Sequence, residues 1–104
     1  MHYTETVLTA DDGEQLFVRH YRPDADQTSW TLMIIHGVSE HGERYDHVAR
    51  MIAESSWNVI VSDLRGHGHS GGVPTHVSHF RQYVFDLEMI RSHFGLEPCR
   101  TAML

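Results

Sequence analysis

The sequence has a single cysteine, Cys99, so no disulfide framework can form within the chain. It has no basic stripe. Against 14 acidic side chains stand 8 basic ones, a formal charge of −6 with histidine neutral. Phosphate backbones find no footprint on such a surface, and nucleic-acid binding is not expected. No apolar run approaches the ~20 residues that a membrane-spanning helix needs. Met1-His2-Tyr3-Thr4-Glu5 lacks the basic start and apolar core of a secretory leader. Internal repeats and low-complexity segments are also missing. What remains, 40% hydrophobic and 10% aromatic, is too apolar for a disordered chain and fits one small domain or part of a larger one. A soluble, cytoplasmic protein is the expectation.

Residues 3–10 and 15–22 are both rich in strand-favouring types, and Asp12-Gly13 between them signals a hairpin. Trp30 to Ile35 carries an uninterrupted apolar run, Leu32-Met33-Ile34-Ile35, which reads as a strand covered on both faces. The run stops at His36-Gly37, the strand end where open α/β sheets hold ligands. Tyr45, Val48, Ala49 and Ile52 then trace one face of a helix over about Arg44 to Ser55, with Asp46 and Arg50 paired on its polar side. Trp57 to Val61 is a second buried strand, followed by a glycine-dense loop from Leu64 to Thr75. Phe80, Tyr83, Val84, Leu87, Ile90 and Phe94 predict a long helix with these side chains in the core, Ser78 as N-cap and Gly95 at its end. Cys99 to Leu104 looks like the start of a third strand. A hairpin followed by β-α-β-α-β predicts an α/β domain with a mostly parallel sheet.

Two loops carry recognisable patterns: His36-Gly37-Val38-Ser39-Glu40-His41 with Arg44-Tyr45 after it, and Asp63-Leu64-Arg65-Gly66-His67-Gly68-His69-Ser70. In this order they resemble the α/β-hydrolase superfamily. The likeness is to its monoacylglycerol lipase and lysophospholipase branch, grouped with the serine aminopeptidases, and it covers essentially the whole chain. It implies a serine hydrolase of lipid esters with a Ser-Asp-His triad and no cofactor. The nucleophile elbow of that family follows the strand that Cys99 to Leu104 would begin. The triad is therefore expected beyond Leu104, in a domain that breaks off just before its elbow. The resemblance makes the Val38 backbone N–H one donor of an oxyanion hole, with His36 and Gly37 shaping its loop. Glu40, His41, Asp63, Arg65, Gly66, Gly68 and Ser70 are expected to fix loop structure. Contact with a membrane would come through a substrate-covering cap, also absent, and the oligomeric state is not legible.

Gly68-His69-Ser70-Gly71-Gly72 itself matches G-x-S-x-G, yet it reads as a glycine turn. Five residues separate Ser62 from Gly68, where an elbow needs the strand to run straight in, and Gly71, Gly72 and Pro74 oppose a helix starting at the serine. The ten histidines offer one cluster worth weighing as metal ligands, His67, His69, His76 and His79. It lacks the cysteines of structural zinc sites, and no metal is expected. The alternative to an esterase piece is a non-catalytic α/β protein that binds a partner or a metal through these histidines. With its third strand an open edge, the chain alone is expected to be poorly stable and inactive.

Overall fold

The computed structural model describes residues 1–24, 30–37, 41–55, 57–73, 77, 79–96 and 101–103. In chain order the elements are β1 (His2–Thr9), β2 (Gln15–Arg22), β3 (Thr31–Ile35), a 3₁₀ turn (Gly42–Tyr45), α1 (Asp46–Glu54), β4 (Asn58–Ser62), α2 (Phe80–His93) and β5 (Thr101–Met103). The strands form one sheet in the order β1-β2-β4-β3-β5. As the apolar runs imply, β3 lies in the middle, with β4 on one flank and β5 on the other. Both of those pairings are parallel, whereas β1 with β2 and β2 with β4 are antiparallel. The sheet is thus evenly mixed rather than mostly parallel, because the hairpin makes up two of its five strands.

The hairpin forms as expected, with a longer turn than Asp-Gly alone would make. The Ala10 N–H bonds to the Glu14 carbonyl and the Gly13 N–H to the Ala10 carbonyl, both at 2.8 Å. Gly13 takes φ +88°, so this is a three-residue turn closed by a left-handed glycine.

Side chains alternate across the sheet, and each face has its own helix. Val18, Met33 and Ile60 join Ile90 of α2 on one face. Tyr21, Ile34, Val59 and Val61 join Ala49 and Ala53 of α1 on the other. That two-sided cover explains why β3 and β4 are continuous apolar runs rather than alternating ones. Each such side chain contributes about 1.5–3 kcal/mol by leaving water.

The helices correct the sequence reading in detail. The first begins as the 3₁₀ turn, and only from Asp46 is it α-helical. The second has His79, in extended backbone with no side-chain cap bond, at its N-cap; Ser78 lies outside the described residues. The apolar stripe of α2 is only half core. Tyr83 and Ile90 are buried and Leu87 and Phe94 pack partly, but Phe80 is 76% exposed and Val84 51%. The buried arc runs instead through Tyr83, Asp86 and Ile90. It is turned by a carboxylate, for a reason that lies in the loop after β4.

Candidate functional site

Two loops leave the carboxyl ends of the neighbouring parallel strands β3 and β4, and both are held by buried polar groups. His36 and Asp63 are the first residues past those strands, 2% and 1% exposed. His36 Nε2 accepts the Leu64 backbone N–H at 2.9 Å. The neutral ring therefore carries its proton on Nδ1, which donates to the Gly37 carbonyl at 2.7 Å. The His36 ring also lies 5.1 Å from that of His67, whose Nδ1 donates to the Arg65 carbonyl. His36 is thus tied on both nitrogens to backbone.

Asp63 is a hub. Its Oδ1 accepts from the Gly42 backbone N–H at 2.6 Å and from Arg19 Nη1 at 3.0 Å. Its Oδ2 accepts from the His69 backbone N–H at 2.9 Å. Burial alone would raise this carboxyl's pKa; the His69 and Gly42 amides and the Arg19 guanidinium outweigh it and hold it below the ordinary carboxylate value. The surroundings leave no room. A Cβ on Gly68, at φ +49°, would sit 2.5 Å from Asp63 Oδ2, and one on Gly42 would sit 2.8 Å from Oδ1.

The glycine loop closes on itself and on the hairpin. The Gly66 N–H bonds to the Gly71 carbonyl and the Gly71 N–H to the Gln15 carbonyl, both at 2.7 Å. Ser70 spans the gap: its Oγ donates to the Asp63 carbonyl at 2.6 Å and accepts the Phe17 N–H at 2.8 Å. Among the described residues no helix starts at this hydroxyl, and its two bonds make Ser70 a bridge between β2 and the loop. Arg65 reaches the other way. Its Nε and Nη2 grip both oxygens of Asp86 on α2 at 2.8 Å, and Nη1 meets Asp12 of the hairpin turn at 2.6 Å. These bonds raise the guanidinium's pKa and lower that of Asp12. They also explain the orientation of α2, since Asp86 must face Arg65.

Of the residues singled out from sequence, His36, Gly37, His41, Asp63, Arg65, Gly66, Gly68 and Ser70 fall in these two loops; Val38 and Glu40 lie outside the described residues. His41 is exposed and precedes the 3₁₀ turn. Among the described residues no three histidine, cysteine, aspartate or glutamate side chains gather to hold a metal ion, and His76 lies outside them. Sequence reasoning missed Arg19, Gly42, Asp12 and Asp86. The one available signal was a charge at an inward position, Arg19 in a buried strand and Asp86 in an apolar stripe. Among the described residues no helix is long and apolar enough to cross a membrane.

A family model described as serine aminopeptidase, S33, matches residues 26–101, well over half of the chain. The monoglyceride lipase of Rattus norvegicus is 37% identical over 80 residues, 77% of this chain and 26% of the lipase. The monoacylglycerol lipase of Mycolicibacterium smegmatis is 34% identical over 78 residues, 75% of this chain and 28% of that enzyme. The chain therefore spans about a quarter of the length of either relative. Among solved structures, the α/β hydrolase GrgF from Penicillium sp. sh18 superposes with a TM-score of 0.82 at 20% identity, over 99% of this chain and 37% of its own. With the two locked loops at the strand ends, these likenesses establish that the chain belongs to the serine aminopeptidase S33 family and carries an N-terminal portion of the α/β-hydrolase fold.

Proposed function

We propose that this chain is the oxyanion-loop half of a serine hydrolase that cleaves carboxylic esters of lipids, such as monoacylglycerol or lysophospholipid, in the cytoplasm. Its Val38 N–H supplies one hydrogen bond to the tetrahedral oxyanion, and His36 and Gly37 aim it. The second donor, and the Ser, Asp and His of the triad, lie in sequence beyond Leu104. The observation that carries this reading is the pairing of loops: His36, at the end of β3, is fixed to Leu64 and Gly37 by both ring nitrogens. These bonds fix the base of the loop, and preorganised donors are what stabilise developing negative charge. The lipase relatives support the ester-hydrolase class. The 104-residue chain by itself is inactive on this view.

The test joins residues 1–104 to the remainder of the M. smegmatis lipase, in place of its matched segment, and follows monoolein hydrolysis. The chimera should turn over. Val38→Pro, which deletes the N–H, should lower kcat by about 10²–10³, whereas Val38→Ala, which keeps it, should not. An active Val38→Pro chimera rejects the donor assignment. Fluorophosphonate labelling of the 104-residue chain alone, lost on Ser70→Ala, would reject the placement of the nucleophile.

A further inference from the structure

The two strand-end loops meet through one imidazole, which can hold them together in only one protonation state. His36 Nε2 accepts the Leu64 backbone N–H at 2.9 Å, across 28 residues of chain. An accepting nitrogen must keep its lone pair, and an imidazolium has none to offer. The ring's single proton therefore sits on Nδ1, 2.7 Å from the Gly37 carbonyl. His36 is buried, so bulk water cannot stand in for the amide it would lose. Beside it, with ring centroids 5.1 Å apart, lies His67, a second buried imidazole. We infer that His36 is a proton-operated latch. Neutral, it fastens the end of β3 to Leu64; a proton on Nε2 evicts the Leu64 N–H and lets the two loops part.

The charges around the ring offer an added proton little compensation. The loop after β4 carries Asp63 and Arg65 on either side of Leu64, besides His67. Asp63 would be the natural counter-ion, but its oxygens accept from Gly42, His69 and Arg19, and the Arg19 guanidinium of β2 offsets its charge. Arg65 turns to Asp86 of α2 and Asp12 of the hairpin turn. The 3₁₀ turn adds His41 before it and Glu43 and Arg44 within it, all exposed. An imidazole in the unfolded chain takes a proton at about pH 6.5. The latched state refuses that proton, so below this pH the open form binds more protons and is favoured. At about pH 5.5, one unit lower, opening is favoured roughly tenfold over its level at about pH 7.5. Above about pH 6.5 both forms are neutral, and the latch is indifferent to pH. The device depends on neither the oxyanion assignment nor ester chemistry.

Amide exchange and imidazole nitrogen spectra of the 104-residue chain test it. Leu64 protection, taken relative to the free-peptide rate at each pH, should fall roughly tenfold between about pH 7.5 and pH 5.5. That interval lies above the ordinary carboxylate range of about pH 4. In His36→Gln, whose amide oxygen can accept the Leu64 N–H at any pH, protection should change by less than about twofold. His67→Gln should keep the wild-type fall. A fall that persists in His36→Gln, or that vanishes in His67→Gln, places the sensor elsewhere and overturns the proposal. Should His36→Gln not fold, the wild-type nitrogen spectrum decides. At about pH 5.5 the folded chain should still show His36 as the neutral ring protonated on Nδ1. An imidazolium signal from His36 with Leu64 still protected overturns the latch.

Discussion

Asp63 gathers the Gly42 and His69 amides and the Arg19 guanidinium, and its acid–base behaviour follows from that. Its folded pKa lies below the ordinary value, so the folded state is stabilised above the unfolded pKa of about 3.9 and that stability is lost as pH falls through the folded pKa. In that window the unfolded chain binds more protons, and stability rises with pH. Urea midpoints measured from pH 6 downward should therefore drop below about pH 4, and the drop should be shallower in Asp63→Asn. Glycine positions make a second, sharper contrast. Gly68 and Gly13 both have positive φ, but only Gly68 has a neighbour, Asp63 Oδ2, within clash distance. Gly13→Ala should cost only the left-handed strain, about 1–2 kcal/mol. Gly68→Ala adds the displacement of a buried carboxylate and should leave little folded protein at 25 °C, as circular dichroism would show.

At the scale of elements, β3, β4 and the hairpin were legible because their patterning answers to a local cause, burial on one face or two. The phase of α2 was not. The apolar stripe at helical spacing predicts that Phe80 and Val84 face the sheet. Arg65, 21 residues away, is fixed between Asp12 and Asp86, and that bidentate pair turns Asp86 inward. A sequence gives the spacing of a helix but not the long-range partner that sets its rotation. The Asp63 hub was hidden for the same reason, since Arg19 and Gly42 come to it from 44 and 21 residues away. The two faces of α2 should accordingly respond differently. Ile90→Ala, at 1% exposure, should cost about 2–5 kcal/mol, whereas Phe85→Lys, at 63%, should stay within about 0.5 kcal/mol by chemical denaturation.

The sheet is covered on two faces, and one of its edge strands, β5, is short. β5 pairs with β3 over Thr31 to Met33, and no described strand lies on its other side. An unpaired edge is a template for a second chain. The exposed Phe80, Val84 and Phe85 add apolar surface on α2. Expressed alone, the chain should self-associate with rising concentration, seen as light scattering. Phe80→Glu with Phe85→Lys should reduce it without changing the circular dichroism spectrum. A chain that stays monomeric at high concentration would show the edge to be harmless.

Ser70 carries a warning for anyone locating the nucleophile by mutation. Its hydroxyl is spent twice, on the Asp63 carbonyl and the Phe17 amide, so it stitches β2 to the loop that seats Asp63. In any active protein built on this chain, Ser70→Ala should lose activity because the stitch is gone. Sitting in a G-x-S-x-G pattern, it would then pass for the catalytic serine. Counting sites rather than rates exposes the impostor: the surviving folded fraction of Ser70→Ala should still take up one fluorophosphonate per molecule.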